Sequence, residues 1–140
     1  VNHQDLVGRT PFFTACQINN LEIVDVLAAD TRVDLNLARN DKMNALHYAC
    51  NHGSNVLVKT LLKSERLDPN IAGPRGLTAL HFVAQSNNPD LVRALLDDNR
   101  VDATLVSENG HTAQQMAVAE GHREVVDIFN AQLSAANPNT

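Results

Sequence analysis

Apolar and polar positions follow one another along this chain in a pattern that returns every 34 residues. Each unit opens with an apolar-rich segment, and the four copies read TPFFTAC from Thr10, NALHYAC from Asn44, TALHFVA from Thr78 and TAQQMAV from Thr112. In the first three units an apolar stripe with helical spacing follows, as at Ile23, Val24 and Leu27. A unit this short can bury its apolar face only against its neighbours, so the pattern predicts a solenoid of stacked units.

The polar residues within each unit predict where helices stop and start. Nine residues after each anchor stands an Asn or a Gly, the two types that most readily adopt a positive φ. These are Asn19, Gly53, Asn87 and Gly121. Asn20, Ser54 and Asn88 come next in the first three units, and each is a good helix N-cap. Every unit is therefore predicted to form a helix, a left-handed stop, a tight loop and a second helix.

The repeated segments resemble the ankyrin repeat, whose signature T-P-L-H-x-A recurs at a period of 33. The match is best at Asn44–Ala49 and at Thr78–Val83. Tetratricopeptide repeats have a similar period but need a Trp-containing core, and this chain has no Trp. The resemblance implies an all-α ankyrin repeat solenoid of helix-turn-helix units joined by β-turn or hairpin fingers. We place the additional residue of each 34-residue unit in a lengthened turn after the second helix.

The register divides the chain into four repeats, at about residues 6–39, 40–73, 74–107 and 108–133. Residues 1–5 are expected to be the end of a preceding repeat, because Val1-Asn2 aligns with Leu35-Asn36. With no initiator Met, we interpret the chain as a segment of a longer protein. Polar Gln114 and Gln115 predict that the fourth repeat caps the stack, and residues 134–140 form a polar tail.

Composition excludes several classes of function. The net charge of −5 and the isoelectric point near 5.6 argue against a general nucleic-acid or anionic-membrane surface. No apolar run approaches the eighteen residues of a membrane helix, and no signal peptide is recognisable, so we expect no membrane insertion. Cys16 and Cys50 occupy the same repeat position as Ala84 and Val118, which indicates small buried residues and an intracellular protein.

Catalytic and metal chemistry find little support in the sequence. His47 and Cys50 could share a helix face, but a zinc site needs at least three protein ligands. His47 has a counterpart in His81, and the ankyrin resemblance implies that both bridge neighbouring repeats. No nucleophile elbow or phosphate loop is present. We therefore expect neither enzymatic activity nor a cofactor or metal.

One further pattern recurs with the repeat. Arg32, Arg66 and Arg100 each precede an Asp by two residues. This spacing is interpreted as an ion pair within or between repeats, with a binding ladder as the alternative.

Recognition should depend on positions at which the aligned repeats differ. The ankyrin resemblance places these positions on the fingers and at the ends of the first helices, which line a concave groove. The candidate partner-binding residues are Leu6, Val7, Arg9, Ile18, Asp41, Met43, His52, Pro74, Arg75, Leu77, Gln85, Glu108, Asn109 and His111. Among them we expect Leu6, Val7, Ile18, Met43 and Leu77 to be exposed apolar anchors.

The sequence thus predicts a monomeric protein–protein interaction module whose partner is another protein or a further domain of the parent protein. The alternatives are an inhibitory domain that acts on an enzyme, a substrate-targeting arm of a multidomain enzyme, and a secreted bacterial effector. The expected compartment is intracellular, and cytoplasm, nucleus and host-cell cytosol all remain open. Fold-level resemblance does not identify the partner.

Overall fold

The repeated pattern folds into pairs of short helices. The structure, a computed structural model, describes residues 2–136, with side chains described as far as Gln132. In this part of the chain there are eight α-helices and no β-strand. The helices are α1 (Pro11–Gln17), α2 (Leu21–Ala29), α3 (Ala45–Asn51), α4 (Asn55–Leu62), α5 (Ala79–Gln85), α6 (Pro89–Leu96), α7 (Ala113–Glu120) and α8 (Arg123–Ala136). The all-α ankyrin-type solenoid predicted from the sequence is confirmed.

Side chains at the predicted caps begin the helices. The Thr10 hydroxyl accepts a hydrogen bond from the Phe13 N–H at 3.1 Å, and the side-chain Oδ1 of Asn88 accepts one from the Leu91 N–H at 3.2 Å. Ser54 differs, because its hydroxyl donates to the Asn19 side chain instead of capping α4. The predicted stops are confirmed, since Asn19, Gly53, Asn87 and Gly121 all have φ between 55° and 73°.

The helices form two rows. The first helix of each repeat packs on the first helix of the next, and the second helices form a parallel series on one side. Leu46 and Leu80 are buried in the first row, and Leu57 and Leu91 in the second. Complete burial of one such side chain contributes about 1.5–3 kcal/mol. Because helices of successive repeats pack on one another in both rows, the stack is stabilised between units as well as within them.

Four fingers project between the helix pairs. In each finger the backbone N–H of the first residue donates to the carbonyl of the fifth, as from Arg39 to Met43 at 2.9 Å and from Gly73 to Leu77 at 2.8 Å. The other two fingers run from residue 5 to 9 and from residue 107 to 111. Each finger is thus a tight turn, as the family resemblance implied.

The lengthened turn after each second helix shows that the arginines do not form the ion pairs that the Arg-x-Asp spacing suggested. Arg32 and Arg100 do not pair with the Asp two residues later; they pair with Asp30 and Asp98, two residues earlier, at 2.7 Å. Arg66 forms no ion pair with a described residue. The reason is geometric, because the later Asp accepts the backbone N–H two residues further on, as Asp34 does from Asn36 at 2.9 Å.

The guanidinium groups of Arg66 and Arg100 donate hydrogen bonds to backbone carbonyls of the preceding repeat. Arg100 donates to the carbonyls of Leu62, Ser64 and Leu67 at 2.8–2.9 Å. Arg66 donates in the same way to the carbonyls of Ala28, Asp30 and Val33. These carbonyls lie at and just beyond the C-termini of α4 and α2, where a cation is favoured.

An asparagine ladder crosses the same turns. The Asn36 side chain donates to the Arg66 carbonyl at 3.0 Å and accepts the Asp68 N–H at 2.7 Å. Asn2 and Asn70 form the equivalent pairs of bonds one repeat earlier and later. Each asparagine thus joins one turn to the next through two backbone groups.

At the C-terminal end, α8 is longer than any other helix and continues to Ala136. Three residues assigned to a polar tail therefore belong to this helix, and residues 137–140 lie outside the described part of the chain. The Gln114 side chain donates to Asn130 at 2.7 Å, and the Gln115 side chain accepts the Thr112 N–H at 2.8 Å. The fourth repeat therefore presents amides at positions where Leu80 and His81 are buried in the third.

Candidate recognition surface

Finger residues and first-helix residues share one surface. A depression of about 170 Å³ lies between the third and fourth fingers and the helices beside them. Five candidates from the sequence line it, and the remaining lining residues, Ser107 and Met116, were not predicted. These five are Arg75, Leu77, Gln85, Asn109 and His111. The structure thus brings together residues up to 36 positions apart along the chain.

Leu77 is not an exposed anchor, and that expectation is wrong. Its side chain is only 4% exposed and belongs to the main core. Leu77 follows the turn of the third finger, where its backbone carbonyl is held by Gly73, and the side chain packs beneath the finger. Met43, the equivalent residue one repeat earlier, is half-buried and lies against the Arg39 guanidinium.

The other apolar candidates are exposed. Leu6 is 98% exposed, and Val7 beside it on the first finger is half-exposed. Ile18, at the end of α1, faces a different depression of about 400 Å³ at the N-terminal end of the stack. That depression is also lined by Ile23 of α2, so Ile18 belongs to the end of the solenoid and not to the surface between successive fingers.

Ion pairs hold the first two fingers. Arg9 bonds Asp5 at 2.7 Å, and Arg39 bonds Asp41 at 2.7 Å, which lowers the pKa of both carboxyl groups. For Asp41 the largest cause is the hydrogen bond from the Arg39 side chain; for Asp5 it is the bond from the Arg9 backbone. Asp41 and Arg9 are therefore engaged within their own fingers.

Aromatic rings of the first two repeats pack together, with Phe13 buried, Tyr48 half-buried and His52 exposed. The His52 ring stacks on Tyr48 with 4.0 Å between ring centroids, and Tyr48 meets the edge of Phe13 at 5.5 Å. The Arg39 guanidinium lies 5.1 Å from the centre of the Phe13 ring, within cation–π range. Of this cluster only His52 is among the candidate partner-binding residues predicted from the sequence.

Two cations of the fingers have left-handed backbone conformations; Arg75 was a candidate from the sequence, whereas Lys42 was not predicted. Lys42 has φ 73° at a finger position that is Gly8, Gly76 and Gly110 in the other repeats. Arg75 also has a positive φ, 57°. A left-handed conformation costs a residue with a Cβ about 1–2 kcal/mol. Both side chains are exposed, and neither forms an ion pair with a described residue.

The remaining finger candidates complete the surface. Pro74 is half-buried, whereas Glu108 of the fourth finger is exposed. The Glu108 N–H donates to the Arg75 carbonyl at 3.0 Å, and the Asn40 N–H donates to the Val7 carbonyl at the same distance. Pro74 occupies the equivalent position in the third finger and has no N–H to donate. The second and third fingers therefore lack this link.

The buried histidines are structural. The Nδ1 atom of His47 accepts the Asn44 N–H at 3.1 Å, so Nε2 carries the proton and donates to the Ile71 carbonyl at 2.8 Å. His81 accepts the Thr78 N–H and donates to the His111 carbonyl at 2.9 Å, in the fourth finger. Burial lowers the pKa of both rings, which keeps them neutral. Both rings therefore tie helices to the turns that follow.

Neither metal nor thiol chemistry is apparent in the described residues. No group of three His, Cys, Asp or Glu side chains there could hold a metal ion. Cys16 and Cys50 are buried and unpaired, as predicted, and burial raises the pKa of Cys16 to about 12 and that of Cys50 further. No helix in residues 2–136 combines the length and apolar character that a membrane span needs.

Comparison with known proteins agrees with this architecture. The family model described as ankyrin repeats (3 copies) matches the chain twice, over residues 1–73 and 52–140. None of the curated proteins matches the chain. The two matched ranges together span all 140 residues, and the helix pairs, stops and fingers follow the same repeat. The chain therefore belongs to the ankyrin-repeat family.

Proposed function

We propose that the chain is a protein-recognition module that binds an acidic segment of a partner protein across its second and third fingers. Ankyrin repeats generally serve as protein–protein interaction modules. The observation that carries the finer proposal is the pair of exposed cations, Lys42 and Arg75, in left-handed turns. Such strained conformations concentrate at binding sites, where the stored energy serves a function.

The presence of a lysine at position 42 is not explained by the stability of the finger. Three of the four repeats have glycine there, the residue that adopts a positive φ without steric cost. A lysine at that point contributes no ion pair within the described residues, and its side chain is exposed. Its contribution is therefore best explained by an external acidic group.

The surroundings supply the rest of a recognition surface. Tyr48, on which His52 stacks, contacts Phe13, and the Phe13 ring lies 5.1 Å from the Arg39 guanidinium of the second finger. The depression beside Arg75 is lined by the amide groups of Gln85 and Asn109. Aromatic rings and arginine are the side chains most often found at the energetic centre of an interface. The proposed partner segment therefore combines acidic side chains with an apolar residue.

The matching experiment is affinity capture from lysate, followed by a titration with the captured protein. Lys42→Glu and Arg75→Glu should each weaken binding at least about tenfold and reduce its salt dependence. Both replacements keep a side chain in the left-handed turn, so folding should be unaffected. Lys59→Glu, an exposed change on α4 away from the fingers, is the control.

Three outcomes would contradict the proposal. Equal binding by the finger variants and the parent would move the interface off this surface. A loss caused by Lys59→Glu alone would assign recognition to the second-helix row. An unchanged affinity between low and high salt would exclude an acidic partner.

The residues that the structure describes contain no arrangement that favours catalysis. His47, His81, Cys16 and Cys50 are buried in the stack, and ankyrin repeats are typically non-catalytic. We propose that the chain acts by binding alone. Incubation of the captured partner with the chain, with the partner's mass and activity followed over time, tests this; a turnover of the partner would refute it.

A further inference from the structure

Exposed apolar side chains are concentrated in the first repeat. Of the eight large apolar side chains that are exposed in the described residues, five belong to that repeat. Two of these, Leu6 and Val7, lie on the first finger. The other three, Ile18, Ile23 and Val26, lie on its two helices.

At the positions of Ile23 and Val26 the equivalent residues of later repeats are less exposed, whereas the counterparts of Ile18 are exposed as Ile18 is. Ile23 is 44% exposed, whereas Leu57, Leu91 and Val125 at the same repeat position are at most 1% exposed. Val26 is 69% exposed, whereas its counterparts Thr60 and Ala94 are half-buried and Ile128 is 7% exposed. In the later repeats this face of the second helix packs on the second helix of the repeat before it. The first repeat thus presents an uncovered face of the same kind.

The charge at the edge of this face follows the same pattern. Arg66 and Arg100 place their guanidinium groups on the carbonyls at the C-terminus of the preceding second helix. Arg32 holds the equivalent position, and its side chain is 73% exposed. Among the described residues its side chain bonds only Asp30, through two hydrogen bonds of 2.7 and 3.0 Å. The Arg32 guanidinium can therefore still donate hydrogen bonds to the carbonyls at the end of a neighbouring helix.

We propose that this end face, formed by Ile18, Ile23, Val26 and Arg32, docks a further ankyrin repeat, continuous with the chain on its N-terminal side. The second helix of that repeat lies over Ile23 and Val26 and ends at the Arg32 guanidinium. Asn2 supports the register, because it already forms the two ladder bonds to Arg32 and Asp34 that Asn36 forms one repeat later.

A second copy of the chain fits the face less well. In a face-to-face pair, the carbonyls at the end of α2 would be needed by the partner copy's arginine, but Arg66 of the same copy already bonds them. In a head-to-tail pair the face would meet α8, which has 14 residues where α4 and α6 have eight. α8 continues past the point at which those shorter helices end, so it offers no helix end there, and the Gln114 side chain bonds Asn130 in the same repeat.

The experiment adds a repeat in register. A copy of residues 1–34 is placed directly ahead of residue 1, since Val1 aligns with Leu35, and a second extended chain carries residues 35–68 at the same point. We expect at least one extended chain to unfold in a single transition, with a urea midpoint roughly 0.5–1 M above that of the 140-residue chain. Backbone amides around the original Ile23 should gain protection from hydrogen exchange.

Arg32→Gln separates docking from a general gain in stability. In the 140-residue chain this variant should leave the midpoint unchanged, whereas in the extended chain it should remove a clear part of the gain. Ile23→Asp should behave in the same way, with a larger loss in the extended chain.

Three results would overturn the inference. Two separate transitions in both extended chains would show that the added repeat does not dock. Equal changes of the urea midpoint by Arg32→Gln with and without the extension would show that the guanidinium donates to no carbonyl of the added repeat. A concentration-dependent dimer of the 140-residue chain, abolished by Ile23→Asp in sedimentation, would assign the face to a second copy.

Discussion

Replacement of Arg100 by methionine is expected to loosen the joint between the second and third repeats. The guanidinium donates three hydrogen bonds of 2.8–2.9 Å to backbone carbonyls at the end of α4. A net hydrogen bond contributes about 0.5–1.5 kcal/mol, and a cation at a helix C-terminus about 0.3–1 kcal/mol. Methionine retains the aliphatic length but removes every donor.

Solvent reduces the total, because the Arg100 side chain is 32% exposed. We therefore expect Arg100→Met to lower the free energy of unfolding by about 2 kcal/mol. With a urea m-value of about 2 kcal/mol/M, the midpoint should fall by about 1 M. Circular dichroism at 222 nm during urea titration measures the change, and tryptophan fluorescence is not an option in a chain without Trp.

Arg32→Met is the matched control. Arg32 has the same repeat position and the same Asp partner two residues earlier, but it donates to no helix carbonyl in the described residues. Its loss should leave the midpoint unchanged. Equal shifts for the two variants would refute the reasoning, since the exposed Asp pair would then account for the whole effect of Arg100.

Three further predictions concern the core and the fingers. Burial lowers the pKa of His47 and His81 below the ordinary 6.5, so the folded state binds fewer protons than the unfolded state. The free energy of unfolding should therefore be highest above about pH 6.5 and should fall as the pH drops. His47→Gln should weaken this pH dependence in urea titrations at about pH 5.5 and about pH 7.5. Gly73→Ala would place a Cβ 2.7 Å from the His47 ring, so it should cost about 1–3 kcal/mol in the same titration, and an unchanged midpoint would show that the ring moves freely. Leu77→Ala should cost about 2–5 kcal/mol because its side chain is buried, whereas Arg75→Ala in the same finger should leave the melting temperature nearly unchanged; similar losses would contradict the buried position of Leu77.

Several features of the candidate surface could be predicted from the register of the repeats. The fingers and first-helix ends were placed correctly because each follows a helix boundary set by local residues, such as the cap at Thr10. The unusual lysine at position 42 was also visible in the sequence, since the other three repeats have glycine there. It was missed because only residues of the family pattern were compared, not departures at glycine positions.

The sequence by itself determined the repeat, its helices and its stops, because caps, left-handed residues and apolar spacing act within a few residues of the chain. It could not decide which members of an equivalent set are covered. Leu77 and His111 share one repeat position, yet Leu77 is buried and His111 is exposed. Ile23 and Leu57 share another position, and there Ile23 is exposed and Leu57 is buried. Burial depends on the repeat stacked alongside, and the acceptors of Arg66 and Arg100 lie 33–38 residues away. Only the assembled stack brings these groups together, since the energy of a solenoid lies mainly between its units.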